Sequence, residues 1–204
     1  MLMSLAILQD KSFIKEQIFK IWLWDAEFKI GRISEYLSKK DKILDVGTGP
    51  GSVCLLMQRG GYKLTPVDVI DQTLTSEVKP DIYNSEKLPY KDSSFDTALI
   101  LTVLHHTSNP EQVISEAKRV ANKIIIIEDI YSNPIQKYLT FIVDSIVNME
   151  FLGHPHTNKS DKEWKTTFNK LGLKLKATRY DRFLLFFRQA TYFLEKQTET
   201  SNLF

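Results

Sequence analysis

The run Ile43-Leu44-Asp45-Val46-Gly47-Thr48-Gly49-Pro50-Gly51 constrains this chain more than any other stretch. Residues suited to a short buried strand, from Lys42 to Val46, pass straight into Gly-x-Gly-x-Gly. Glycines at alternate positions permit a tight turn and let a ligand approach the backbone closely. A helix expected from Val53 to Gln58 would turn its unpaired N–H groups and positive dipole end toward that loop. Gly60-Gly61 stops the helix, and Tyr62 to Val67 reads as a second strand. Strand, glycine turn, helix and strand in that order make a parallel unit.

The pattern continues along the chain. Asp81–Tyr83 and Phe95–Leu101 are expected strands. Asn109-Pro110 with Gln112 opens a helix, with Asn109 as N-cap and Pro110 at the first helical position. Lys123–Asp129 contains four consecutive isoleucines, the signature of a strand buried on both faces. Asn133-Pro134 opens an expected helix to Val147, and Ser160 with Glu163 forms a capping box for a helix closed by Gly172. Leu173, Leu175 and Ala177 alternate with polar residues, and Phe183–Phe187 is a continuous apolar run, so an antiparallel pair is expected at the end. The fold class is therefore α/β: a doubly wound, mostly parallel seven-stranded sheet with a terminal antiparallel β pair. No repeat or linker divides the chain, so 1–204 is expected to be one domain, with 1–39 as a helical cap on a core at 40–204. Within the cap, Phe13–Phe28 carries apolar residues on most sides of a helix, which calls for core packing, a pocket cover or a partner.

Composition narrows the classes. The chain has 204 residues, 43% hydrophobic and 25% charged, which suits a globular domain rather than disorder. One cysteine, Cys54, excludes an internal disulfide, a thiolate zinc site and a CxxC redox pair, in keeping with a cytoplasmic setting. Met1–Leu8 is apolar but has no basic flank, and no run reaches the roughly 20 apolar residues of a membrane span. Net charge is +2, without a strong nucleic-acid signature. Its distribution is uneven, with 11 acidic against 6 basic residues over Asp68–Asp129 and 8 basic against 3 acidic over Lys159–Arg182. The bland reading is two solvated faces; the sharper one is a basic rim for an anionic acceptor or peripheral membrane contact.

Several features around the glycine loop sharpen it. Asp45 precedes the first glycine by two residues. Asp68 ends the second strand, where a carboxylate can accept both ribose hydroxyls. Ser85-Glu86-Lys87-Leu88-Pro89-Tyr90, Ser94-Phe95-Asp96 and Leu104-His105-His106 follow in order. Over about Lys40–Leu173 this resembles the class I S-adenosylmethionine-dependent methyltransferases, in particular the small-molecule type of ubiquinone and menaquinone biosynthesis. The resemblance implies a Rossmann-like fold, S-adenosyl-L-methionine as cofactor with S-adenosyl-L-homocysteine as product, and methyl transfer to an O, N or C atom of a small-molecule or lipid-like acceptor. It implies that Gly47, Thr48, Gly49 and Gly51 line the methionine portion, with Asp45 at its amino end and Asp68, beside Val69, on the ribose. Asn84 stands where many relatives carry an adenine-binding Asp, and Ser85 would offer a backbone N–H. Leu101 and Thr102 would pass beside the sulfonium. Arg119-Val120-Ala121-Asn122-Lys123 replaces the usual Lys-Pro-Gly-Gly turn, a departure on the far side.

The rival within the fold is an NAD(P)-dependent oxidoreductase, but Ser52 stands at the third glycine of that fingerprint. From another class, a non-catalytic S-adenosylmethionine-binding interaction module stays open because of the broad apolar helix. An acid or base is needed only if the acceptor must lose a proton, and histidine suits that task near neutral pH. His106 is the first candidate, then His105, with Asp129 on the same rim. Tyr131, His154 and His156 are candidates for binding substrate. No metal is expected: His154 and His156 would need a third ligand. No Asn/Asp-Pro-Pro-Tyr/Phe motif follows the fourth strand, which argues against base- or glutamine-amino methylation. The acceptor and the oligomeric state are not encoded in any motif here.

Overall fold

The computed structural model describes residues 12–131, 157–183 and 187–197. Its helices are α1 (Ser12–Ile33), α2 (Ser52–Arg59), α3 (Pro110–Val120) and α4 (Asp161–Lys170). Its strands are β1 (Lys42–Val46), β2 (Lys63–Asp68), β3 (Asp81–Ile82), β4 (Phe95–Leu101), β5 (Ala121–Ile130), β6 (Leu173–Phe183) and β7 (Phe187–Lys196). They form one seven-stranded sheet in the order β3-β2-β1-β4-β5-β7-β6. The first five strands run parallel, and β7 inserts antiparallel between β5 and β6.

Strand order reverses at β1, which pairs with β2 on one side and β4 on the other. Connections leave that point in opposite directions, so a crevice opens beyond the carboxyl ends of the strands. Register places the site there: Val46 lies beside Val67 and Ile100, so Gly47, Asp68 and Leu101 share one edge.

The isoleucine run explains the two core layers. Ile124 and Ile126 face one side with Val46, Ile100, Trp164, Phe168 and Tyr192. Ile125 and Ile127 face the other with Ile43, Leu99, Met57 and Phe193. Each residue points opposite to its neighbour, and both faces are covered, so the run carries apolar side chains on both sides.

The expected caps form. Asn109 Oδ1 accepts the Gln112 N–H at 3.2 Å. The Ser160 hydroxyl accepts the Glu163 N–H, and the Glu163 carboxylate accepts the Ser160 N–H at 2.7 Å. Gly172 closes α4 at φ +66°, a conformation glycine adopts without steric cost.

Two expectations change. The final strand is not Phe183–Phe187, for β6 ends at Phe183 and β7 begins at Phe187. The true strand carries Gln, Thr and Glu among its apolar residues, which hid it; yet Ala190 to Leu194 are all buried, because β7 is internal to the sheet. The N-terminal helix is longer than expected and two-sided. Phe19, Leu23 and Ile30 pack against the core, while Ile21, Trp24 and Phe28 are exposed, with Trp24 and Phe28 stacked at 6.2 Å. Charged residues at i, i+4 and i+7 also fasten it. Lys29 pairs with Asp25 at 2.7 Å, and Arg32 donates to Gln189 Oε1 of β7 at 2.6 Å. The expected helix Pro134–Val147 lies outside the described residues. No helix among the described residues is long and apolar enough to cross a membrane.

Candidate functional site

The glycine loop leaves β1 in left-handed backbone, with φ +76° at Gly47, +53° at Gly49 and +81° at Gly51. The first and second glycines are needed for different reasons. A Cβ on Gly47 would lie 2.6 and 2.7 Å from the γ-carbons of Val103, so close packing against the turn after β4 forbids it. A Cβ on Gly49 would meet nothing within 4 Å. That position is bare toward open space, the arrangement that lets a ligand lie on the backbone. The Gly47 N–H donates to Val67 O at 2.9 Å, and the Thr48 hydroxyl reaches Asp45 O at 3.2 Å, so the loop is rigid.

Two carboxylates flank the loop. Asp68 at the end of β2 accepts the Gly49 N–H on Oδ2 at 2.8 Å and the Val69 N–H on Oδ1 at 2.7 Å. Burial pushes its pKa up and these backbone donors pull it back. Asp45 is 3% exposed, and its Oδ2 has no hydrogen-bond partner. Burial first and the charge of Asp68 second push its pKa up to about 7, against the opposing effects of Thr48 and Lys29. An unpaired buried carboxylate oxygen costs free energy unless a donor reaches it. It fits the ammonium of an amino-acid moiety, while Asp68 fits a diol. The loop, the bare Gly49 and the two carboxylates suit the cofactor that the resemblance implies.

The opposite wall is the end of β4. Leu101 is buried, and Thr102 holds φ +59°, a strained conformation for a β-branched residue. Its N–H donates to Ile127 O at 2.7 Å, and its hydroxyl accepts from Lys29 Nζ of α1 at 2.8 Å. A 3-10 turn at Leu104–His106 follows. His105 is 2% exposed and His106 is half-buried. Asp129 is half-buried near the carboxyl end of β5, paired in register with Gln189. Asn84 and Ser85 lie exposed beyond β3. Asn84 Oδ1 accepts the N–H groups of Glu86 and Lys87, so it shapes its own turn, and Ser85 sits at φ +65°. The Tyr131 hydroxyl donates to Glu163 at 3.1 Å, which ties it to the cap of α4. His154 and His156 lie outside the described residues. Among the described residues, no three His, Cys, Asp or Glu side chains gather as a metal site.

Sequence reasoning missed three residues here. Glu128, Lys29 and Arg32 are charged yet buried, and each sits where pattern alone predicts a core or a solvated helix face. The one signal for Glu128 was a carboxylate directly after four isoleucines.

Residues 44–124 match the methyltransferase domain family. Over that stretch, which holds the glycine loop, Asp45 and Asp68, the chain is similar to a methyltransferase domain. Two curated relatives show the spread of this methyltransferase group. A norajmaline N-methyltransferase from Rauvolfia serpentina is 32% identical over 111 residues, covering 48% of this chain and 38% of that protein. A tRNA U34 carboxymethyltransferase from Campylobacter fetus is 28% identical over 116 residues, covering 49% and 40%. The chain thus spans about two-fifths of the length of these relatives. Among solved structures, magnesium protoporphyrin IX methyltransferase from Synechocystis, with bound S-adenosylhomocysteine, superposes with a TM-score of 0.62. The match covers 90% of this chain and 87% of that one at 15% identity, a likeness of fold.

Proposed function

We propose that this domain binds S-adenosylmethionine along the carboxyl edge of β1, β2 and β4 and transfers its methyl group to an O, N or C atom of a small-molecule or lipid-like acceptor. The observation that carries this reading is the bare approach at Gly49 between two carboxylates of different environment, Asp45 and Asp68. Gly47, Thr48 and Gly51 shape the bed. Asp45 takes the amino end, Asp68 the ribose, and Val69, Asn84 and Ser85 border the adenine side. Leu101 and Thr102 form the wall beside the sulfonium. When bound, the cofactor supplies a methyl group already activated for displacement.

The chain's own task is alignment. Holding an acceptor in line can supply up to roughly 7–11 kcal/mol of the barrier. His106 and Asp129 stand on the rim where an acceptor proton would be removed. The charge distribution favours a small acceptor over an RNA. Lys159, Lys165, Lys170, Lys176 and Arg179, five of the eight basic residues between Lys159 and Arg182, are paired with carboxylates. A polyanion would therefore meet a largely neutralised face. A single buried cysteine suits a cytoplasmic protein.

Calorimetry with S-adenosylmethionine tests the binding step. The expected result is micromolar affinity, weakened at least tenfold by Asp68→Ala at a melting temperature that shows the variant folded. Absence of binding, or preferred binding of a nicotinamide dinucleotide, sinks the reading. Methyl-labelled donor incubated with metabolite, lipid and tRNA fractions then finds the acceptor class. Binding without turnover in every fraction would favour an interaction module instead.

A further inference from the structure

Glu128 is fully buried in β5, directly after the isoleucine run, yet both of its oxygens have partners. Its Oε1 accepts two backbone N–H groups, from Val103 at 2.9 Å and Leu104 at 2.7 Å. Its Oε2 faces His105 Nδ1 at 2.7 Å. With Oε1 taken up by two backbone donors, Oε2 is the oxygen left for His105, and as a carboxylate oxygen it accepts a hydrogen that Nδ1 supplies. The His105 ring lies 4.1 Å from that of His106, tilted by 42°.

The surroundings show that this is a registered assembly. The turn is pinned just before it, where Thr102 bonds Ile127 O and Lys29. It is pinned again from outside, where the Thr157 hydroxyl lies 2.8 Å from Leu104 O and 3.1 Å from Thr107 O. Val103, whose N–H Glu128 holds, is the residue packed onto Gly47. One buried carboxylate thus sets both the wall of the cofactor loop and the histidine pair.

The geometry points to Glu128 as a positioning residue that fixes the proton of His105 on Nδ1 and thereby sets the ring of His106 at the rim. The consequence for acceptors rests on the proposed function; the hydrogen-bond assignment does not. Glu128→Gln separates the two tasks of the side chain. The two backbone donors oblige the amide to turn its oxygen toward them, so the clamp on Val103 and Leu104 survives. The amide nitrogen then faces His105 and donates, so Nδ1 must give up its hydrogen and the proton moves to Nε2. A structural clamp would be preserved by this change, whereas a proton-fixing contact is inverted.

The test is ¹⁵N NMR of histidine-labelled full chain, with and without S-adenosylhomocysteine. In the native protein His105 Nδ1 is expected to carry a proton. In Glu128→Gln the proton is expected on Nε2, with the His106 signals displaced and S-adenosylhomocysteine affinity changed less than threefold. A native His105 without a proton on Nδ1 overturns the inference. So does Glu128→Gln that leaves the His106 signals where they were. If Glu128→Gln does not fold, His105→Phe keeps the ring and removes the contact; undisplaced His106 signals in that variant overturn the inference equally. Failure of S-adenosylhomocysteine to bind the native protein would count against the proposed function alone, because the proton assignment is read without it.

Discussion

Asp45 makes the glycine loop a pH-dependent weak point, and Asp45→Asn measures it. Burial, reinforced by Asp68, raises the carboxyl from 3.8 to about 7. Between those values the folded chain binds more protons than the unfolded one, so stability falls as pH rises through the window and levels off above it. A shift of about three units corresponds to about 4 kcal/mol at full development. At pH 5 only the first part of that cost has appeared. Asparagine carries no charge, so Asp45→Asn is free of the cost at any pH. Urea unfolding of both proteins at pH 5 and pH 8 should show the variant gaining about 2–3 kcal/mol on the native chain between the two conditions. An equal difference at both pH values, or a larger advantage at pH 5, would refute the reasoning. The same carboxyl links pH to the cofactor. A bound ammonium favours the ionised form, so S-adenosylmethionine affinity should rise with pH across 6 to 8 with proton release. Asp45→Asn should flatten that slope, as buffer-dependent calorimetric heats will report.

Further expectations follow from the same geometry. Gly47→Ala should destabilise by about 1–3 kcal/mol, because its Cβ collides with Val103, and thermal unfolding will show it. Gly49→Ala should cost only about 1 kcal/mol from its left-handed backbone, yet it should weaken S-adenosylmethionine at least tenfold by filling the bare approach. Ser160→Ala removes a complete capping box and should cost about 1 kcal/mol in urea. Cys54 is buried and its thiol is pushed far up, first by burial and then by Asp45. It should ignore a disulfide exchange reagent in the folded state and react promptly in denaturant.

What was legible in the sequence was whatever local physics decides. The parallel core followed from the glycine turn and the isoleucine run, and the Asn109 and Ser160 caps followed from residue types that satisfy helix N–H groups. The placing of Gly47, Gly49, Asp45 and Asp68 together at the carboxyl edge of the sheet was legible because strand, glycine turn, helix and strand follow one another directly. The rest depends on contacts between distant segments. Lys29 meets Thr102 across 73 residues, Arg32 meets Gln189 across 157, and Glu128 meets His105 across 23. Periodicity treats a charge inside an apolar run as an interruption, so it cannot distinguish a solvated Glu from one held by two backbone N–H groups and a histidine ring. Strand β7 was misplaced for a related reason. An internal strand is buried by its neighbours, and Thr191 is hidden as fully as Tyr192.

The insertion of β7 between β5 and β6 also bears on how the chain is made. Until β7 arrives, β5 offers one full edge of unpaired N–H and C=O groups along a run of isoleucines, the kind of edge that recruits strands from other molecules. More than fifty residues separate the end of β5 from the start of β7. At roughly 5–20 residues per second, a ribosome leaves that edge open for on the order of 3–11 s per molecule. Soluble yield of this protein should therefore respond to the rate of synthesis over this interval. Slower elongation between residues 131 and 187 would lengthen the exposed interval, and faster elongation would shorten it.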